Sequence, residues 1–139
     1  MISAINVGFY NLIISNAALQ TALGGSAGDK KIYQVKAPQS ASLPYITFGL
    51  LTESPIGTFA DFEAIEDLTY WVNCFSSTST ASIAGIADAV MGALDDKTLT
   101  VQGYTSMKCL REFTSSPTWD TETGVYMISL RYRIWLDKT

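Results

Sequence analysis

The chain has 139 residues, of which 47% are hydrophobic and 16% are charged, a composition typical of one packed globular domain and not of a disordered segment. Its formal net charge is −4, which disfavours avid sequence-independent binding to nucleic acid, because such binding needs a basic face that displaces phosphate counterions. The sequence contains no histidine, so the usual general base near neutral pH and the usual imidazole ligand of metals are both missing.

The first predicted element is an amphipathic helix near the N-terminus. Its apolar residues recur every three or four positions, and Gly24-Gly25 is a typical helix end. No Lys or Arg precedes Lys30, so the basic region of a signal peptide is missing, and polar residues interrupt any run long enough to span a bilayer. We therefore expect no membrane partner. The predicted helix stripe consists of Ile2, Ile5, Phe9, Leu12, Ile13, Asn16, Leu19 and Leu23.

Two strands are predicted in the next part of the chain. A flexible linker at residues 24–31 and a short extended piece precede them. Apolar residues alternate along 45–52 and along 68–75, which is the period of a strand with one face on a core. Between the two strands, residues 53–67 are predicted to form a long acidic loop.

A second helix and several shorter pieces are predicted after the strands. The Ser/Thr run at 76–80 offers N-cap residues, and Asp95-Asp96 closes the helix. Residues 98–102 and 107–114 are strand-like, with a break at a glycine, and a turn follows. The predicted helix stripe consists of Ile83, Ile86, Ala87, Val90 and Leu94.

The most regular pattern of the sequence is the final strand, where every even position from Tyr126 to Leu136 is apolar. An alternation of this length predicts a long strand that lies on a core. The order of elements predicts an α+β fold with a mostly antiparallel four- to five-stranded sheet and two helices packed on one face. Length and composition predict a single domain over residues 1–139.

The two cysteines, Cys74 and Cys109, each lie inside an apolar strand pattern. This position favours small buried thiols over a disulfide, and no CxxC spacing is present. A reducing compartment is consistent with this usage.

The charges of the chain are segregated. All nine basic residues lie outside residues 37–96, together with five of the thirteen acids, so the middle carries −8 and the flanks together carry +4. Solvated faces usually mix both signs. The separation therefore indicates self-complementary contacts or a surface that must not attract anions, with an acidic loop of no further role as the alternative.

No motif of the sequence supports catalysis. The glycine-rich stretch at 24–31 follows a helix and lacks the Gly-Lys-Ser/Thr of a phosphate-binding loop. The acids near residues 61–67 lack the glycine that a calcium loop needs at its sixth position. We predict no catalytic residue, no cofactor site and no metal site, and therefore no enzymatic activity.

Aromatic residues and arginines predict a protein contact surface instead. Trp71 and Phe75 lie at odd positions of the second strand, and Arg131, Arg133 and Trp135 lie at odd positions of the last one. Aromatic residues with Arg and few Lys are typical of contacts between proteins. In the alternative interpretation, other parts of the same chain cover these rings. Trp119, in the turn before the last strand, fits either a local plug or an anchor.

Several short motifs, together with the N-terminal helix, follow one another in a characteristic order. In chain order they are Ile32-Tyr33, Ala37-Pro38-Gln39, Leu43-Pro44-Tyr45-Ile46-Thr47-Phe48, Tyr70-Trp71-Val72-Asn73-Cys74-Phe75-Ser76, Ile86-Ala87-Asp88-Ala89-Val90, Glu122-Thr123-Gly124-Val125-Tyr126 and Arg133-Ile134-Trp135. Over nearly the whole chain this order resembles the tail-completion (tail-terminator, or head-to-tail joining) proteins of long-tailed bacteriophages. The chain departs from them in its longer linker and its acidic loop.

The resemblance implies a function as well as an α+β fold. Such proteins form a ring, generally six-fold, that caps the finished tail tube and joins it to the connector, or stopper, below the DNA-filled head. They are not enzymes and use no cofactor. The resemblance therefore implies assembly in the host cytoplasm, a place at the head–tail interface of the virion, and DNA that passes through the lumen without specific binding.

Two hypotheses combine the resemblance with the charge pattern. Acidic side chains facing the lumen or a stacked ring would repel phosphates and let DNA pass. Arg131 and Arg133 would meet acids of an adjacent subunit, since a cyclic ring joins two different patches. The acids concerned are Glu53, Asp61, Glu63, Glu66 and Asp67.

Two other classes of protein stay open at this point. One is a different neck or minor tail ring component, such as an adaptor or stopper. The other is a small-ligand-binding or enzymatic α+β domain, which would need a deep apolar pocket with convergent polar groups.

Overall fold

A computed structural model of the chain describes residues 2–26, 28–57, 65–106 and 108–138. Three helices and eight strands lie within these ranges. In chain order they are α1 (Ile2–Ile14), α2 (Ala17–Leu23), β1 (Ile32–Gln34), β2 (Tyr45–Ile56), β3 (Ile65–Ser76), α3 (Thr80–Leu94), β4 (Thr100–Val101), β5 (Tyr104–Ser106), β6 (Leu110–Thr114), β7 (Thr118–Asp120) and β8 (Val125–Lys138).

The predicted N-terminal helix is two helices that meet at an angle of 79°. Asn16 breaks the run because its backbone is extended and its side chain accepts a hydrogen bond from the Leu19 N–H at 2.9 Å, which caps α2. Gly24 ends α2 at a φ of +69°, as predicted. Within the described ranges, no single helix is long and apolar enough to cross a membrane, and α1 and α2 meet that criterion of length and composition only as a bent pair.

The sheet has eight strands instead of the predicted four to five. Its order is β1-β2-β3-β8-β5-β4, and β6 and β7 also pair with β8. The sheet is mixed, because β1 runs parallel to β2 whereas the other pairs are antiparallel. The prediction of a mostly antiparallel four- to five-stranded sheet with two helices is therefore wrong, although the fold is α+β.

The difference arises from the length of β8. This strand has 14 residues. One of its edges pairs with the whole length of β3, and the other edge pairs with β7, β6 and β5 in succession. Strands of two to five residues show too little alternation to be recognised in a sequence. The third helix results from the break at Asn16.

The strands β2 and β3 run further than predicted, into the segment expected to be a loop. Their antiparallel register continues to the pair Ile56↔Ile65, with an irregularity between Leu50 and Thr52. The predicted acidic loop is therefore strand at both ends. Asp61 and Glu63 lie outside the described residues.

The core lies between one face of this sheet, called here the inner face, and the helices. Residues of β3 alternate strictly between buried and half-buried, as its period predicted. The ring of Phe9 on α1 stacks on that of Tyr70 at 4.2 Å and lies 5.3 Å from that of Phe48. The buried residues form one cluster that includes the predicted stripe of α3.

Polar contacts cap the start of α3 and fasten its end to the sheet. Ser79 caps its start by accepting a hydrogen bond from the Ser82 N–H at 3.1 Å, within the predicted Ser/Thr run. At its end, Asp95 accepts a hydrogen bond from the buried Tyr132 hydroxyl at 2.7 Å and lies 3.3 Å from Arg111. Burial and the neighbouring carboxylate raise the pKa of Tyr132.

Cys74 and Cys109 are both buried free thiols, so that prediction is confirmed. Burial raises the pKa of each thiol to about 12. Such thiols are neutral and unreactive near pH 7.

Candidate functional site

The sheet face that points away from the helices, called here the outer face, carries the residues predicted to form a contact surface. Antiparallel register places odd-numbered residues of β3 beside odd-numbered residues of β8, so that Trp71 lies opposite Arg131 and Phe75 opposite Met127. The outer face is only half-buried along β3, whereas every inner-face position from Glu66 to Ser76 is buried. The odd-numbered residues of β3 and β8 therefore share one face of the sheet, as predicted.

The middle of the outer face is an aromatic and cationic row across four strands. A Cβ atom at Gly49 would lie 2.5 Å from the Trp71 ring, so only glycine lets this indole lie flat across β2. Beyond Trp71, Arg131 lies over the ring of Phe113 at 4.9 Å, and its Nε is buried without a hydrogen-bond partner among the described residues. Phe113 itself is 46% exposed.

Arg133 and Trp135 lie further along the same face. Arg133 donates to both carboxylate oxygens of Asp67, from Nε at 3.0 Å and from Nη2 at 2.6 Å, and its guanidinium lies over the Trp135 ring at 5.4 Å. The hydrogen bond from Arg133 lowers the pKa of Asp67. One predicted contact residue and one predicted acidic residue therefore already form a pair within the chain.

The opposite end of the outer face holds an aromatic groove of about 520 Å³ that is open to solvent. Tyr45 and Phe75, whose rings are 5.2 Å apart, lie against it together with Met127. Trp119 of β7 forms one wall, stacked at a tilt on Tyr126 with 4.3 Å between the rings. Trp119 is 49% exposed and lies opposite Tyr126, an even-numbered residue of β8, so its ring stands at the edge of the groove on the side of the inner face.

The predicted acidic residues do not form one exposed group in the part of the chain that is described. Glu66 is buried on the inner face, Asp67 is paired with Arg133, and Glu53 is half-buried with one carboxylate oxygen shielded from solvent. The role predicted for Asp61 and Glu63 falls outside the described residues.

Among the described residues, no group of three or more cysteine, aspartate or glutamate side chains is placed to hold a metal ion. The tyrosines with the strongest rise in pKa owe it mainly to burial: Tyr70, which donates to Asn6 at 2.7 Å, and Tyr132. Both contacts join elements of the core, which is a structural use of these hydroxyls.

Sequence reasoning missed Gly49, Phe113 and the groove. The first two lie in strands, but the close approach of a ring to Gly49 and the pairing of β6 with β8 depend on partners distant in the chain. An exposed tryptophan in a turn, Trp119, was the one signal of the groove.

A sheet with one face covered by helices and the other rich in half-exposed aromatic residues is typical of proteins that assemble through a surface. Comparisons with known proteins give the family. The chain belongs to the family of tail completion protein gp17, whose family model matches residues 9–137. This confirms the resemblance seen in the sequence, and the family is one of structural phage tail proteins.

Two solved structures share the fold. A chain in the virion of a native gene transfer agent particle superposes with a TM-score of 0.73 at 14% identity, over 94% of this chain and 92% of that one. The gp17 protein of bacteriophage SPP1 superposes with a TM-score of 0.54 at 19% identity, over 94% and 88%. A sequence search of curated proteins finds no match.

Proposed function

We propose that this phage virion protein caps the finished tail tube as a ring, six-fold by the family resemblance, and joins the tube to the head connector. It assembles in the host cytoplasm and remains at the head–tail interface. DNA passes through the lumen without specific binding, and the protein uses no enzymatic activity and no cofactor. Its partners are further copies of itself, the tail tube protein and the connector or stopper protein.

The observation that carries this proposal is the uncovered outer face in a chain of a tail completion family. Exposed Phe113 and Trp135 on one side of a small domain favour a protein partner, because aromatic side chains with Arg form the core of protein contacts. We infer that Trp71, Phe75, Arg131, Arg133 and Trp135 lie at or next to a contact between subunits.

Arg131 is the sharpest candidate within that surface. Its buried Nε has no hydrogen-bond partner among the described residues, and an unpaired charged donor is costly. A carboxylate of a neighbouring subunit would offset this cost by pairing with the accessible part of the side chain, since Arg131 as a whole is only half-buried. Arg133 already has Asp67, so we expect it to contribute by holding Trp135 in place more than by a new ion pair.

The acidic part of the chain is proposed to face the DNA path or a stacked ring. The stretch without Lys or Arg at residues 37–96 supports this, because negative side chains repel phosphates. Glu53, Asp61 and Glu63 are the acids most relevant to this role, since Glu66 is buried and Asp67 is paired.

Electron microscopy of lysates from a phage with this gene deleted tests the function. We expect full heads beside detached tails, often of irregular length. Normal joined particles would refute the proposal. Tails of normal length with empty or leaking heads would instead indicate an adaptor or stopper.

Complementation of the deletion tests the surface. We expect Arg131→Glu and Trp135→Ser to give folded protein and separate heads and tails. Asp88→Lys, a charge reversal at an exposed position of α3, is the matched control and should restore joining. If both outer-face variants join heads to tails as the control does, the outer face is not a contact surface.

A further inference from the structure

A second surface of the molecule differs from the groove in both shape and charge. This basic edge segment, residues 30–36, contains the edge strand β1 together with Lys30, Lys31 and Lys36. At its end, Val35 is 63% exposed and has a φ of +64°, while its N–H donates to the Phe48 carbonyl at 2.7 Å. A positive φ is a rare and strained conformation for a β-branched residue, and such strain is concentrated at functional positions.

The groove carries acidic residues, opposite in charge to the basic edge segment. Asp120 lines it, and Glu122 follows in the same turn, beside the half-exposed Trp119. Both carboxylate side chains are exposed. Neither of the two salt bridges formed among the described residues involves the lysines of the basic edge segment, Asp120 or Glu122. Asp29, which accepts hydrogen bonds from the Lys31 N–H and the Tyr33 hydroxyl, offsets part of the positive charge of the basic edge segment.

The two patches lie at opposite edges of the sheet. Around the groove the strand order runs β1-β2-β3-β8-β7, and four steps between neighbouring strands span about 19 Å. One chain therefore cannot bring the lysines to Asp120 and Glu122, although Tyr33 of the basic edge segment contacts Tyr45 on the near wall of the groove. A head-to-tail contact between copies does so, because each subunit then offers one patch to each of its two neighbours.

We propose that the basic edge segment of one copy docks into the aromatic groove of the next copy. Val35 packs against Trp119, and the lysines lie beside Asp120 and Glu122. This inference rests on the proposed ring and names the two surfaces that close it. The buried aromatic contact supplies affinity, and the charges at its rim select the head-to-tail orientation over contacts between like patches.

Disulfide trapping tests this contact directly. The double variant Val35→Cys, Thr118→Cys places a thiol on each patch, and the native thiols are buried and inert. Since disulfides need Cα atoms within about 7 Å, the two new cysteines of one chain cannot join. We expect oxidation of joined particles, and of purified protein that forms rings, to give a ladder of linked subunits that ends at a closed ring.

Two controls make the result specific. The single variants should stop at dimers at most, because each offers only one thiol. The pair Val35→Cys, Gly92→Cys places the second thiol on the exposed side of α3 and should give no ladder. A ladder no stronger than that of this control, in particles that join normally, would overturn the inference.

Charge reversal separates this contact from the wider proposal. Lys31→Glu with Lys36→Glu, or Asp120→Lys with Glu122→Lys, should each weaken joining, and the four changes together should restore it. If Trp119→Ser and both pairs of reversals block joining but the combined variant does not restore it and no ladder forms, the groove holds a different protein and the inference is wrong. The ring proposal itself is tested separately by deletion of the gene, where joined particles, or tails of normal length with empty or leaking heads, would refute it.

Discussion

The two faces of the sheet are built from the same three long strands and differ in what covers them. On the inner face, Phe9, Phe48 and Tyr70 pack together and are at most 1% exposed. On the outer face, Trp71 and Phe75 are half-buried, and Phe113 is close to half exposed. Neighbouring residues of one strand thus serve folding and, as we propose, assembly.

The contrast separates two uses of aromatic residues. A ring buried inside a domain stabilises the fold, whereas a ring left exposed on one face stabilises a complex with a partner. Substitutions on the inner face should therefore change the stability of the isolated chain. Those on the outer face should chiefly change assembly.

The largest effect is expected for a phenylalanine on each face. Phe9→Ala leaves a cavity in the core and should lower the free energy of unfolding by about 3–5 kcal/mol. Phe113→Ala removes a half-exposed ring and should lower it by less than about 1 kcal/mol. Urea unfolding of both variants measures the difference. Equal losses would contradict the division between the faces.

A glycine pair tests how tightly the outer face is packed. Gly49→Ala should lower the free energy of unfolding by about 1–3 kcal/mol, because its Cβ would overlap the Trp71 ring. Gly92→Ala, on α3 with open space around it, should raise stability by up to about 1 kcal/mol. A harmless Gly49→Ala would mean that Trp71 is free to move.

Two tyrosine–aspartate hydrogen bonds, one buried and one exposed, allow the contribution of each kind of contact to stability to be compared. Tyr132→Phe removes the donor to Asp95 and should cost about 1–2 kcal/mol in thermal or urea unfolding. Tyr33→Phe removes an exposed donor to Asp29, 3.0 Å away, and should cost less. The reverse order would show that Asp95 finds another donor easily.

The smallest effect concerns the pair of Asp67 and Arg133. The pKa of Asp67 is lowered from 3.8 by the hydrogen bond from Arg133, so its contribution to stability is present above pH 3.8 and is lost as the pH falls through the lower folded value. Asp67→Asn should therefore be slightly less stable than the natural chain near pH 7, and the difference should shrink as the pH falls below 3.8. Urea midpoints across this range measure it, and a difference that is independent of pH would refute the cause.

The elements best predicted from the sequence are those with one side packed on the core. Alternation marked β3 and β8, and three- to four-residue spacing marked α3, since one side of each packs on the core. The break at Asn16 was missed because apolar residues continue at helical spacing on both sides of it. The strands β4 to β7 were missed or merged because they are held by β8 and not by a pattern of their own.

The sequence predicted which residues lie on the outer face, but it did not predict which of them contact each other. Period 2 placed Trp71 and Arg131 on one face, but only the register sets them opposite each other. The pairing of Arg133 with Asp67 joins residues 66 positions apart. No local rule of sequence gives such a pair.

The central position of β8 also means that several strand edges stay open to aggregation until the end of the chain is synthesised. This strand follows every strand with which it pairs in the sequence. Until it is synthesised, β3, β5, β6 and β7 each present an open edge, and open edges are templates for wrong pairing. A chain that stalls before residue 125 therefore carries four strands with an open edge, although β3 still pairs with β2 and β5 with β4, and β8 covers all four edges once it is synthesised.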